Sequence, residues 1–182
     1  MIRLRLALET DKSELVRLER MHAADELSPE QGQLEGACLD GALIGRLIAS
    51  GHILIAEDEL PQRKQIVGYL VCGPWREFAH WPMQRRALSV LKQQFGNIEQ
   101  SSCHYGPVWV SSSYRGRGLC RQMWQTLGSK LQGRYSRMIA LIGEDNEASI
   151  KAHVRDDGMQ IVDFMEFADR GYYLTSLDLK QG

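Results

Sequence analysis

Val108-Trp109-Val110-Ser111-Ser112-Ser113-Tyr114-Arg115-Gly116-Arg117-Gly118-Leu119 decides how this chain is read. An apolar run of strand character enters a small-residue turn and then an Arg-Gly-Arg-Gly loop. Beyond it Leu119, Met123, Leu127 and Leu131 fall at helical spacing. Strand, glycine loop and helix together build an anion site. Glycine lets the backbone approach a ligand closely. The first turn of a helix has N–H groups without intrahelical partners, and its dipole favours a phosphate. Arg115, Arg117 and Arg121 add positive charge beside the loop.

Spacing narrows the choice among nucleotide motifs. A Walker loop needs Gly, four residues, then Gly-Lys-Ser/Thr, and the chain has none. A dinucleotide fingerprint needs a third glycine where Arg121 stands. What remains is Arg-x-x-Gly-x-small, carried by Arg115, Gly118 and Cys120. A surface loop with solvated arginines is the plain alternative.

Length and composition set further bounds. The 182 residues fit one domain, read as 1–182, with ordinary globular composition: 43% hydrophobic and 25% charged. A net charge of −1 gives no global argument for nucleic acid or for an anionic membrane. The N-terminus, Met1-Ile-Arg-Leu-Arg-Leu6, alternates and has no apolar stretch of signal-peptide length. No apolar run approaches a bilayer span. Cys38, Cys72, Cys103 and Cys120 are scattered without a Cys-x-x-Cys pair, so reduced thiols and a cytoplasmic location are expected, with no metal.

Ile2, Leu4, Leu6 and Leu8 alternate with Arg3, Arg5 and Ala7 as in a half-buried strand. Asp11 and Glu14 open a helix whose apolar face is expected to be Leu15, Leu18 and Met21. Ser28-Pro29 opens a second helical region reaching about Ser50, with a break expected at Gly41. Residues 52–56 and 66–72 read as strands joined by a polar turn around Pro61. Pro82 opens a helix with Ala87, Leu88, Leu91 and Phe95 on one face. A strand near 105–110, the loop and its helix follow. Then come a short strand at 138–142, a helix from Asn146, and a hairpin of 160–167 and 172–179.

Arg115, Gly118 and Cys120, with this order of elements, resemble the GNAT superfamily of acyl-CoA-dependent N-acyltransferases. Its acetyl-CoA motif is Gln/Arg-x-x-Gly-x-Gly/Ala, and Cys120 stands here at the last position. The resemblance implies an α/β fold: a mixed, mostly antiparallel sheet flanked by helices, with a bulged fourth strand splayed from the fifth. The helix after Pro82 is then an insert between strands three and four. The resemblance also implies acetyl-CoA as cosubstrate, its pantetheine arm lying on the main chain of Val108, Trp109 and Val110. Its pyrophosphate would lie on the amides of Arg115, Gly116, Arg117, Gly118, Leu119 and Cys120. A main-chain N–H near Val110 is suited to polarising the thioester carbonyl.

A second family feature, Asn-x-x-Ala/Ser followed by an aromatic or His, resembles Asn146, Ser149 and His153. These three share one helical face. Asn146 and Ser149 are candidate contacts to the CoA arm, or an N-cap and a solvated face. His153 stands where many members carry a tyrosine that protonates the departing thiolate, and packing is its alternative. His104 resembles the position of a catalytic base in some relatives. By strand alternation it shares a face with Gly106, Val108 and Val110 unless a bulge intervenes. Glu57, Glu144 and Glu166 are rival bases. Cys120, in a helical first turn, invites an acyl-cysteine reading, but the need for a small residue there outweighs it. Trp75, Phe78, Trp81, Arg85 and Arg86 make the insert aromatic and basic, able to box an acceptor or to pack on the sheet.

The resulting expectation is an N-acetyltransferase acting on a primary amine of a small molecule or peptide, with a homodimer left open. Two other classes remain: a CoA-binding regulatory or interaction module without catalysis, and a nucleotide-phosphate binder unrelated to CoA.

Overall fold

The computed structural model describes residues 1–26, 38–60 and 63–179. One seven-stranded sheet runs in the order β1-β2-β3-β4-β5-β7-β6. Its strands are β1 (Ile2–Leu6), β2 (Ile53–Leu60), β3 (Arg63–Gly73), β4 (Ser102–Val110), β5 (Arg137–Gly143), β6 (Gln160–Phe167) and β7 (Arg170–Asp178). All neighbours are antiparallel except β4 and β5. The helices are α1 (Lys12–Glu26), α2 (Gly41–Ala49), α3 (Pro82–Gln94), α4 (Ile98–Ser101), α5 (Leu119–Leu131) and α6 (Glu147–His153).

Alternation along the strands sorts the core into two sides. Leu54, Ala56, Leu70, Cys72, Met138, Ala140 and Ile142 point toward α5, where Leu119, Met123, Leu127 and Leu131 are buried against them. Ile53, Ile55, Tyr69 and Val71 point the other way, beneath Leu15 and Leu18 of α1 and Leu43, Ile44 and Leu47 of α2. Further along that second side, Met83, Ala87 and Leu91 of α3 cover Ile139, Leu141, Met165 and Leu174. The expected insert is thus a real helix, begun by Pro82 at its first turn, where a missing N–H costs nothing. A 3-10 turn, Trp75–Phe78, leads into it.

Two details, at Asp11 and along α1, depart from expectation for physical reasons. Asp11 does not cap α1 directly; it closes a 3-10 turn, Glu9–Asp11, by accepting from the Leu8 N–H at 2.7 Å. Gly41 begins α2 after non-helical residues 38–40, with Asp40 accepting from Leu43 N–H at 2.7 Å as its N-cap. The earlier part of that expected helical region, 28–37, lies outside the described residues. On α1 the buried stripe is Leu15, Leu18, Glu19 and His22, whereas Met21 is 50% exposed. Those four follow helical periodicity more closely than Leu15, Leu18 and Met21 do.

Candidate functional site

The fourth and fifth strands pair only from Ser102↔Arg137 to Tyr105↔Ala140. Past Tyr105 they part, while β4 stays on β3 through Val108↔Leu70, Trp109↔Tyr69 and Val110↔Gly68. Main-chain groups at 108–110 thus have a partner strand on one side and an opening on the other. The cause is local. Between Cys72↔Tyr105 and Leu70↔Val108, β4 carries one residue more than β3, at Gly106-Pro107. Gly106 has φ +122°, which an L side chain rarely adopts. Proline has no N–H to offer a ladder.

The bulge also shifts the alternation. Cys103 and Tyr105 face α5, and so do Val108 and Val110. His104 therefore does not share a face with Val108 and Val110. It points to the opposite side, its ring 4.5 Å from Phe78 and 5.5 Å from Trp75. His104 is buried, its Nδ1 has no hydrogen-bond partner among the described residues, and burial lowers its pKa to about 3. As it sits, it is a neutral imidazole and a weak base. Trp75 and Phe78 are buried as its cover, and Trp75 Nε1 donates to Ser102 Oγ at 2.9 Å. Those two insert aromatics therefore pack the fold; Trp81 is half-buried, and Arg85 and Arg86 are exposed.

At the outer end of the opening, β4 passes through a short 3-10 turn, Ser112–Tyr114, into the glycine loop. Gly116 and Gly118 have φ +72° and +74°, and Gly118 is the N-cap of α5. Among the described residues nothing lies within 4 Å of where a Cβ would stand at either, so they leave the surface over the loop open. The first intrahelical bond, Gln122 N–H to Gly118 C=O at 3.1 Å, leaves the amides of Leu119, Cys120 and Arg121 unused within the helix. The three arginines differ. Arg115 Nε donates to Val110 C=O at 2.8 Å, Arg117 lies over the Tyr114 ring at 5.9 Å, and Arg121 is paired with Asp157. This arrangement can hold a pyrophosphate on main-chain amides, with Arg115 and Arg117 exposed beside it.

On the same side α6 packs against α5. Asn146 is its N-cap, accepting from Ser149 N–H at 3.1 Å. His153 is buried at the last position of α6, and burial lowers its pKa. Its ring reaches Tyr105 Oη at 2.7 Å and Cys120 Sγ at 3.6 Å. Cys120 is half-buried and burial raises its pKa, so its thiol is held neutral rather than poised as a nucleophile. His153 and Cys120 are thus brought together, while His104 is kept apart on the other side of the sheet. Glu57 is buried and held by Arg5 at 2.8 Å, which lowers its pKa. Glu144 and Glu166 are exposed.

A cluster not anticipated from sequence stands across β4 from α5. His22 lies 4.6 Å from the Trp109 ring, Tyr69 lies 5.8 Å from Trp109, and Tyr69 Oη donates to Glu19 Oε2 at 2.5 Å. Glu19 Oε1 also accepts from Leu39 N–H at 3.3 Å. The signal was present: an acid and a histidine occupy core positions of an amphipathic helix, where lone polar groups are costly.

Among the described residues no group of His, Cys, Asp and Glu could hold a metal ion, and no helix is long and apolar enough to cross a membrane. Residues 10–159 match the model of the acetyltransferase (GNAT) family. No curated protein sequence matches the chain. Among solved structures, the chain is similar to a GNAT superfamily phosphinothricin acetyltransferase from Sinorhizobium meliloti in complex with acetyl-CoA. Identity is 18%, coverage 100% of this chain and 90% of that one, and TM-score 0.66. It is similar to a ribosomal-protein-alanine N-acetyltransferase from Brucella melitensis at 21% identity, 97% and 99% coverage and TM-score 0.64. NAA60 of Arabidopsis thaliana, in complex with acetyl-CoA, aligns at 12% identity, 98% and 99% coverage and TM-score 0.66.

Proposed function

The chain belongs to the GNAT family of acetyltransferases, and from that premise we propose that it transfers an acetyl group from acetyl-CoA directly to a primary amine. The observation that carries this is the parting of β4 from β5 beyond Tyr105, beside the glycine-capped start of α5. An extended pantetheine arm can pair with main-chain groups of Val108, Trp109 and Val110, as an added strand would. The Arg115 N–H is used by the Ser112 C=O, so amides from Gly116 to Cys120, with the Arg115 and Arg117 side chains, hold the pyrophosphate. Asn146 and Ser149 line the α6 side of the arm. An N–H near Val110 steadies the developing oxyanion.

The acceptor approaches the opposite face, where the Trp109, Tyr69 and His22 rings pack together and Tyr69 donates to the buried Glu19 carboxylate. Rings and a carboxylate favour an ammonium ion. One structural neighbour is named for phosphinothricin and another for a ribosomal-protein alanine, so the fold admits a small amine or a peptide amine. Free thiols at Cys38, Cys72, Cys103 and Cys120 suit a cytoplasmic location. A homodimer is compatible with this reading.

The test is thiol release from acetyl-CoA in the presence of phosphinothricin, spermidine, lysine and an alanine-initiated peptide. Turnover with a primary amine is expected. Saturable acetyl-CoA binding without turnover on a broad amine panel would favour a CoA-binding module instead. Binding of ATP or NAD(H) with indifference to CoA would favour the nucleotide-phosphate reading.

A further inference from the structure

The glycine loop is held at its ends. Arg115, Gly116, Arg117 and Gly118 are all exposed, between half-buried Tyr114 and buried Leu119. Leu119 is an apolar anchor in the core beneath α5. Tyr114 is an anchor of another kind. Its ring packs against the same core, and its Oη donates to Asp58 Oδ2 at 2.7 Å. Asp58 stands near the end of β2, with β3 between it and β4. Its other oxygen pairs with the Met1 amino group at 2.9 Å. Arg117 lies over the Tyr114 ring, its Cζ 5.9 Å from the ring centre. One line of contacts thus runs from Asp58 through Tyr114 to Arg117, in the middle of the loop.

Resting on the acetyl-CoA reading above, we propose that Asp58 is a positioning residue for the pyrophosphate. Through Tyr114 it fixes the entry of the loop and the place of Arg117. The physical reason is preorganisation. Glycine loses more freedom on ordering than any other residue, and two of the four exposed loop residues are glycines. A loop ordered before its ligand arrives spares that cost at binding. A carboxylate near an anion site also repels the anion, so Asp58 has two effects of opposite sign. The repulsion acts across exposed, salt-screened surface and is weak. The bond to Tyr114 is local and charge-assisted, stronger than one between neutral groups. The tether therefore outweighs the repulsion, and losing Asp58 loosens CoA where charge alone would tighten it.

Calorimetric titration of acetyl-CoA into wild type, Tyr114→Phe, Asp58→Ala and Asp58→Asn reads the sign. Tyr114→Phe keeps the ring in its seat and the pair between Asp58 and Met1, and removes only the tether. It should bind acetyl-CoA about five- to tenfold more weakly than wild type. Asp58→Ala should weaken binding too, although it removes a repulsive charge. Asp58→Asn keeps an oxygen that accepts from Tyr114 and should recover part. With an amine the wild type accepts, KM for acetyl-CoA should rise by the same factor in Tyr114→Phe, with kcat nearly unchanged. S-acetylpantetheine lacks the pyrophosphate, so wild type and Tyr114→Phe should use it equally well. Equal affinity for acetyl-CoA in wild type and Tyr114→Phe, or tighter binding by Asp58→Ala, would overturn the tether alone. An equal loss with S-acetylpantetheine would also overturn it, because the bond would then serve the fold and not the loop. If wild type binds no CoA, the acetyl-CoA reading falls and the tether with it. Should Asp58→Ala not fold, Tyr114→Phe and Asp58→Asn decide.

Discussion

His104 lies under Phe78 and Trp75 with an unpartnered Nδ1, and its pKa of about 3 compares with 6.5 for an ordinary imidazole. Between those values it is neutral in the fold and charged in the unfolded chain. The unfolded state then binds more protons, so stability is complete above about pH 6.5 and falls as pH drops toward 3. By pH 5 the share of His104 is about 2 kcal/mol. His52, lowered to about 4 chiefly by burial, acts in the same direction over a narrower window. Urea unfolding of His104→Leu should show a shallower loss between pH 6.5 and 5 than wild type, with stability near pH 7 held or raised, because an unsatisfied buried nitrogen is removed. Parallel pH profiles would contradict this. The same variant tests the base assignment: acetyl transfer should survive, whereas a loss of about 100-fold with an intact fold would restore that role to His104. Residue-scale reading of the sequence found His153 and Cys120 but not their meeting with Tyr105. Tyr105 reads as one more strand aromatic, and nothing local shows that β4, α5 and α6 converge on it. Glu19 and His22 were hidden by a plausible apolar stripe that included Met21.

The glycine loop and α5 were legible because each residue type has a local reason. Gly118 at φ +74° is such a case, and Gly118→Ala should cost about 1 kcal/mol in thermal or urea unfolding from backbone strain alone. Gly118→Asn should cost less, since Asn tolerates that region better. Equal stability of wild type and Gly118→Ala would place the loop in another conformation. At α6, Asn146→Ala removes the cap bond to Ser149 N–H and should cost about 1 kcal/mol, measured by urea unfolding. An Asn146→Ala variant as stable as wild type would deny that bond. A bulge in β4 was expected only through resemblance and without a position, and its effect on His104 was left conditional; it lies at Gly106-Pro107. Strand alternation is a period-two signal, and one extra residue inverts everything on its far side.

At the scale of the molecule, the order of elements follows from hydrophobic periodicity, but sheet order does not. That β7 inserts between β5 and β6 rests on long-range pairing such as Ala140↔Thr175 and Phe164↔Tyr173, which no local pattern encodes. The insert was legible as a helix through Pro82 and its apolar spacing. Its place beside α1 and α2, opposite α5, comes from which faces of β5 and β7 remain to be covered. The α5 face of β4 and the face carrying Trp109 are thus opposite, and beyond Tyr105 β4 no longer pairs with β5. A ligand bound across that opening should stabilise the whole domain, by about 2.7 kcal/mol at a hundredfold excess over Kd. Titration calorimetry of acetyl-CoA into wild type and into Gly118→Glu tests this architecture most directly. One saturable site per chain is expected in the wild type, weakened at least about tenfold in Gly118→Glu, whose carboxylate would repel the pyrophosphate held at the start of α5. No heat with CoA or acetyl-CoA, or equal affinity in the two proteins, would contradict it.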